Sequence, residues 1–250
     1  MKHKFITACE EDNSYYITNY MAKDKIVAHI LYMGLQIICF KGNSDIADII
    51  FTSKHMIKPE YFSLNLFYAF GAACKGGHID MIKHILDIIS QNNQNNIIDE
   101  VMMNNIYSNG MFCAYKTANK TIIEFLSLRD VNWNWVGLYN AACQGGSIEL
   151  MEFVNSKSQT DLSIFCRNNI YYACIGGHNH VIDYLISKNT VLFDGYSALQ
   201  GALSGKNIDT ITYIIKIIKD KKITGSKVLS TLKAHSKDPE INALYQRLKG

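Results

Sequence analysis

A short apolar segment, a Gly-Gly turn and a longer apolar segment recur three times along this chain of 250 residues. The copies end their first segment with Ala72-Ala-Cys-Lys-Gly-Gly77, Ala141-Ala-Cys-Gln-Gly-Gly146 and Tyr172-Ala-Cys-Ile-Gly-Gly177. Apolar residues three and four places apart on either side of the turn predict two amphipathic helices. Each copy is therefore a predicted helix–turn–helix unit, and the pattern indicates a repeat protein.

Four weaker copies join the alignment when the chain is read from the turn. The second glycine of the turn, or the residue in its place, is here called the register residue. The seven register residues are Asp12, Gly42, Gly77, Ala118, Gly146, Gly177 and Lys206, at a mean spacing of about 32 residues. Positions five and eight places after the register residue are almost all large and apolar, which predicts the buried face of the second helix. Six of the seven residues four places before it are Ala, which predicts close packing of the first helix.

The pattern predicts an all-α solenoid of about seven helix–turn–helix units. Residues 1–25 form a predicted N-terminal capping repeat, residues 26–218 the central repeats, and residues 219–250 a helical C-terminal cap. In the cap, a helix from Ser226 to about Ala234 and a second one opened by Asp238-Pro239 are expected. The polar run at residues 90–96 lengthens one interval and is predicted to be a surface loop or a break between helices.

These copies resemble the ankyrin-repeat family over roughly residues 5–218. The Ala-Ala-x-x-Gly-Gly-His run is similar to the central signature of that family, Asp194-Gly195-Tyr196-Ser197-Ala198-Leu199 to its opening, and Asp130-Val131-Asn132 to its hairpin segment. No copy has an intact Thr-Pro-Leu-His, so the hairpin loops are expected to be short or degenerate. The resemblance implies a non-enzymatic scaffold for protein–protein interaction. The divergent Gly-Gly-His style is similar to ankyrin proteins of large DNA viruses, which implies a viral protein that engages a host protein.

The charge distribution leaves two further interpretations open. The chain has a net charge of +3, yet the part from Lys206 onward holds ten basic and four acidic residues. Such a segment is typical of a solvated capping end, but it is also compatible with an acidic partner or nucleic acid. Few aromatic residues lie among those lysines, so nucleic acid is not the expected partner. A structural subunit of a larger assembly is the third alternative.

The cysteines and histidines do not indicate catalysis, a metal or a cofactor. Five of the seven cysteines lie three places before a register residue, which predicts small core side chains, and no Cys-x-x-Cys is present. His78 and His178 follow the turn and are expected to hydrogen-bond across it, while His178 and His180 diverge at a helix start. Motifs for phosphate binding, metalloprotease or serine hydrolase chemistry are also missing. We therefore expect no enzyme and no small-molecule substrate.

The expected compartment follows from what the sequence lacks. It has no apolar run of about 18 or more residues and no secretory signal pattern at its start. These features predict an intracellular, cytoplasmic protein that does not bind membranes, in the host cell if the protein is viral.

Loop tips and first-helix surfaces are the predicted contact face. Trp133 and Trp135 are the first choice, because an extended segment would place both rings on one side. In the alternative interpretation both rings cover a shortened loop. The other predicted contact residues are Glu10, Lys41, Lys75, Lys116, Gln144, Asn168 and Tyr196.

Overall fold

The protein is helical wherever its structure is described. The computed structural model describes residues 2–22, 28–53, 59–92, 98–188, 193–221 and 226–249. These ranges contain sixteen α-helices and one 3₁₀ turn, and no β-strand. The all-α prediction is thus confirmed. The chain divides into two compact units, Met1–Trp133 (unit 1) and Asn134–Gly250 (unit 2).

Unit 1 consists of four helix pairs in chain order. Its helices are α1 (Lys2–Glu10), α2 (Ser14–Met21), α3 (Ala28–Lys41), α4 (Ser44–Phe51), α5 (Pro59–Gly76), α6 (Ile79–Asn92), α7 (Glu100–Lys116) and α8 (Lys120–Ser127). The first helices of successive pairs pack side by side, α1 on α3, α3 on α5 and α5 on α7. The second helices form another row, in which α4 contacts both α2 and α6.

Unit 2 continues with three pairs and two final helices. These are α9 (Trp135–Gly145), α10 (Ile148–Lys157), α11 (Cys166–Gly176), α12 (Asn179–Lys188), α13 (Gly195–Gly205), α14 (Ile208–Asp220), α15 (Ser226–Ala234) and α16 (Pro239–Lys249). A 3₁₀ turn at Leu162–Phe165 packs on α11, and α11 also packs between α9 and α13. At the far end of the unit, α15 packs on α13 and α16 on α14.

All seven register residues have a left-handed backbone. Among the described residues, the positive φ angles belong to Gly42, Gly77, Gly146 and Gly177 and to three residues with side chains, Asp12, Ala118 and Lys206. At each site the next backbone N–H donates to the carbonyl five residues earlier, with N···O distances of 2.8 to 3.4 Å. This hydrogen bond closes the first helix in the Schellman manner and satisfies a carbonyl that the helix end leaves free.

The residue that closes the first helix also caps the second helix. In five of the pairs it is Asn or Ser, and its side-chain oxygen accepts a hydrogen bond from the backbone N–H three residues later. These capping residues are Asn13, Asn43, Asn119, Ser147 and Asn207. One residue therefore sets the turn between the helices, which explains why the turn sequence repeats.

The three predicted columns form the core. All residues four places before and five and eight places after a register residue are buried. The cysteine column is buried as well, and Cys9, Cys39, Cys74, Cys143 and Cys174 are free thiols. Small Ala and Cys side chains there allow neighbouring first helices to approach closely, as predicted.

The row of second helices is also joined by polar side chains. His84 Nε2 of α6 lies 2.7 Å from Asp48 Oδ1 of α4, in unit 1. In unit 2 the Tyr184 hydroxyl donates to Glu152 at 3.2 Å, and the Tyr213 hydroxyl donates to Asp183. The donors all lie seven places after a register residue and the acids six places after the preceding one, so the repeat extends to these surface contacts.

Some expectations at the connections are only partly met. The polar run at 90–96 is not all loop, because α6 continues to Asn92 and residues 93–97 lie outside the described part of the chain. Helix α14 extends to Asp220, two residues past the predicted end of the central repeats, and residues 222–225 are likewise outside the described part. Helices α15 and α16 lie where the sequence predicts them. No described helix has both the length and the apolar character needed to span a bilayer.

Candidate functional site

A groove of about 550 Å³ crosses the row of first helices in unit 1. Helices α3 and α5 supply most of its wall, while α1 and α7 each contribute at one side. The lining residues are Glu10, Gln36, Ile37, Phe40, Lys41, Tyr68, Gly71, Ala72, Lys75, Asn109 and Cys113. Since these residues face out from helices packed on a common core, the backbone around the groove is held in place by the fold.

The floor of the groove is formed where α5 carries its smallest side chains. Gly71 and Ala72 lie there, and Asn109 of α7 fits beside Gly71. The Asn109 side-chain amide donates to the Phe67 carbonyl at 2.9 Å. A β-carbon at position 71 would lie only 2.4 Å from Asn109 Nδ2, so glycine permits this hydrogen bond between two helices.

Aromatic side chains line the groove and remain open to solvent. Phe40 is 46% exposed and Tyr68 is 40% exposed, which is unusual for such large apolar groups beside a packed core. The Tyr68 ring is also supported by Tyr32 of α3, with ring centroids 5.3 Å apart. Exposed aromatic residues held by their neighbours are a common feature of binding hot spots.

Three lysines occupy the ends of α3, α5 and α7. Lys41 is neutralised within the fold, because its ammonium pairs with Asp12 and donates to the Glu10 carbonyl at 2.8 Å. The Lys75 ammonium instead lies 5.7 Å from the Phe40 ring centroid, and Lys116 lies 5.4 Å from that of Phe112. Neither of these two has a carboxylate partner in the described ranges, so positive charge gathers at the α5–α7 side.

Cys113 gives an electrostatic probe inside the groove. Burial raises the pKa of its thiol above the ordinary value, while the nearby ammonium groups of Lys116 and Lys75 act in the opposite direction and lower it. Both lysines therefore act on one point of the groove surface. The partial exposure of Cys113 distinguishes it from the five column cysteines, which are buried.

The structure brings three of the nine predicted contact residues together. Glu10, Lys41 and Lys75 line the groove, and Lys116 lies outside the lining at the end of α7, the next first helix of the row. Phe40 and Tyr68 were not predicted, although the alignment holds the relevant pattern: Phe40, Lys75 and Lys116 all lie two places before a register residue. Gln36, Asn109 and Cys113 have no comparable indication in the sequence.

The other predicted contacts lie in unit 2 or at the end of unit 1. Tyr196 is 39% exposed, with the Lys227 ammonium 5.9 Å from its ring centroid, and Asn168 is exposed on α11. Gln144 uses its backbone carbonyl to accept a hydrogen bond from the side chain of His178. None of these three residues lines the groove of unit 1.

The segment that holds both tryptophans is not extended throughout. An extended segment would alternate its side chains, but helix α9 begins at Trp135 and its N-terminus is capped by Asn134. The capping hydrogen bond from Gly137 N to Asn134 Oδ1 measures 3.0 Å, so the extended stretch stops before the second tryptophan. Both tryptophans are half-buried.

His78 and His178 were predicted to hydrogen-bond across their own turn. Their rings instead lie against the turn of the preceding helix pair. The His178 ring lies against Gly146, and the His78 ring lies against Gly42. His180 Nε2 is 2.9 Å from the Gly146 carbonyl, with its ring 5.8 Å from that of His178. Within the described ranges, no group of three or more His, Cys, Asp or Glu residues is arranged to hold a metal ion.

Comparison with known proteins adds no relative. No protein-family model, curated protein or solved structure matches the chain significantly. Its function is therefore inferred from the residues and contacts described above.

Proposed function

We propose that the chain is a divergent ankyrin-type module that binds another protein and catalyses no reaction. The seven turns with a left-handed register residue, the alanine column and the Gly-Gly-His sequences support the family assignment. As in the sequence-based expectation, the partner is a protein and no cofactor takes part. A viral protein with a host partner fits the style of the repeats.

The groove of unit 1 is the proposed contact surface. The observation that carries this proposal is the exposure of Phe40 and Tyr68 in one cavity with Lys75, which has no carboxylate partner among the described residues. Burying two half-exposed aromatic rings on association supplies apolar area, and the lysines supply orientation. Because the groove side chains stand on packed helices, little ordering is required when a partner binds.

The test compares two double variants in which exposed large side chains are replaced by alanine. Phe40→Ala/Tyr68→Ala removes the exposed aromatic groups of the groove, whereas Val101→Ala/Leu128→Ala removes apolar side chains that are 68% and 84% exposed elsewhere in unit 1. Proteins captured from cell lysate by each variant are identified by mass spectrometry, and a captured protein is then purified and titrated by calorimetry. We expect its affinity to fall at least about tenfold for the groove pair only.

A third variant tests the tryptophans. If Trp133→Ala/Trp135→Ala abolishes capture while Phe40→Ala/Tyr68→Ala does not, the contact surface is at the tryptophans and the groove proposal fails. Equal capture by all the variants would favour the alternative in which the basic segment from Lys206 onward binds the partner. A partner present in fixed stoichiometry in every preparation would favour a structural subunit.

A further inference from the structure

We infer that the occupant of the groove is an extended acidic peptide segment with an apolar side chain at its middle. This inference depends on the proposed function, since it names the chemistry of the partner at the same groove. The two sides of the groove differ in charge, and this difference indicates the chemistry of the occupant.

The α5–α7 side attracts carboxylates. Lys75 and Lys116 have no acidic partner in the described ranges, and both act on the thiol of Cys113. A carboxylate placed between them would receive charge-assisted hydrogen bonds. The α1 side is different, because Asp12 neutralises Lys41 and the acidic residue Glu10 lines the groove there. A second acidic residue there would meet a like charge, so the acidic end of the peptide lies toward α7.

The middle of the groove suits an apolar side chain. Phe40 and Tyr68 border it, and Ala72 and Gly71 leave room below them. The ring of Phe40 also carries the Lys75 ammonium on its face, which places the apolar and cationic contacts next to each other. A matching segment therefore has an apolar residue close to its acidic residues.

The number of helices crossed sets the length of the segment. Neighbouring packed helices lie about 10 Å apart, so the row from α1 to α7 spans about 30 Å. An extended chain rises about 3.3 Å per residue, and about nine residues cover that distance. A nucleic acid fits less well, because its affinity comes from many phosphate contacts. Here Lys75 and Lys116 lie toward the α7 end of the row, and Glu10 lines the groove at the α1 side.

Selection from a displayed library of random peptides of about nine residues tests the inference on the full chain. The same library is selected against Lys75→Glu/Lys116→Glu, and against the control Lys216→Glu/Lys221→Glu, which reverses two exposed lysines of unit 2. The wild type and the control are expected to enrich acidic peptides with a central apolar residue, whereas the groove variant loses them. Thermal unfolding followed by circular dichroism verifies that each variant is folded.

Synthetic copies of the enriched peptides give the quantitative result. Their Kd is expected to increase at least about tenfold with Lys75→Glu/Lys116→Glu, to stay unchanged in the control, and to increase with salt. Enriched peptides without acidic residues that still require Phe40 and Tyr68 would overturn the inference and leave the proposed function intact.

Two other outcomes also overturn it. A library that yields no groove-dependent peptide excludes a short acidic segment, and the calorimetric titration of captured proteins then decides separately whether the groove binds a folded surface. A single-stranded oligonucleotide that displaces the selected peptides and loses affinity with the same two lysine substitutions would identify nucleic acid as the occupant.

Discussion

The imidazole of His178 lies on the left-handed Gly146 of the preceding helix pair. A β-carbon at position 146 would be 2.6 Å from His178 Nδ1, closer than any normal contact. His78 covers Gly42 in the same way, and in two other pairs an asparagine does so: Asn119 covers Gly77 and Asn207 covers Gly177. In these four pairs the residue just before the second helix thus also covers the turn of the pair before it.

Gly146→Ala is expected to destabilise the protein by about 2 kcal/mol or more. A left-handed backbone costs a residue with a β-carbon about 1–2 kcal/mol, and the contact with His178 adds to that cost. Chemical denaturation monitored by circular dichroism measures the change in the free energy of unfolding.

The contact with His178 is separated from the backbone term by a double-mutant cycle. In a His178→Ala background the ring is gone, so Gly146→Ala should cost less than it does in the wild type. Equal costs in both backgrounds would show that the backbone conformation alone requires glycine.

Lys206→Gly is expected to change the free energy of unfolding in the opposite direction and stabilise the protein. Lys206 has φ +54 at a register position where four other pairs use glycine, and its side chain is exposed. Relief of the left-handed strain should stabilise the protein by up to about 1 kcal/mol. Lys206→Ala is the control, because it removes the same charge and retains the β-carbon. A gain in stability for both variants would indicate charge, and not backbone, as the cause.

The stability of the protein should depend on the ionisation of His178. Burial lowers the pKa of this side chain below its ordinary value of 6.5, with a further decrease from His180 and an opposing increase from the hydrogen bond to Gln144. The unfolded chain therefore binds the proton first as the pH falls through about 6.5. Stability due to the neutral ring is present above that value and is lost below it, until the folded form is protonated as well.

His178→Asn provides the matched control, since the chain itself has Asn at the equivalent place in four other pairs. Denaturation midpoints measured between pH 8 and 5 should decrease more for the wild type than for this variant. If the two curves remain parallel, another titrating group is responsible.

The repeat could be predicted from the sequence because its turn chemistry is local. Glycine, alanine and asparagine occupy fixed places, and even Asp12, Ala118 and Lys206 adopt the left-handed backbone that the alignment requires. The groove could be predicted only in part, because it depends on which side chains of α3, α5 and α7 become neighbours. Lys41 illustrates the limit. Its neighbours in the sequence do not indicate an ion pair, but Asp12 of the preceding helix pair neutralises it.

The helix start at Trp135 limits the extended segment on which the tryptophan prediction depends. Alternation of side chains applies to an extended backbone, and the side chain of Asn134 begins a helix within the pair of tryptophans. An asparagine followed by an apolar segment is a capping pattern, so the sequence contained the information. Phe40 shares its column with the predicted contact residues Lys75 and Lys116, but its local sequence does not show that a Phe there remains exposed.

Cys113 should report directly on the groove. Burial raises its pKa, so at neutral pH it should react with an uncharged alkylating reagent more slowly than a free thiol. It should still react faster than the five column cysteines, which are buried; for Cys9, for example, burial and nearby acids raise the pKa to about 12. The experiment uses a Cys166→Ser background and identifies the labelled site by peptide mass spectrometry.

Removing the positive charges tests whether Lys75 and Lys116 influence the reactivity of Cys113. Lys75→Gln/Lys116→Gln should slow the labelling of Cys113 further, because the ammonium groups that favour its thiolate are gone, whereas Lys216→Gln/Lys221→Gln should leave the rate unchanged. A selected peptide bound in the groove should protect Cys113 in proportion to its occupancy. Labelling of Cys113 at the rate of the buried column would show that the groove is closed in solution, and the site would then have to be sought elsewhere on the protein.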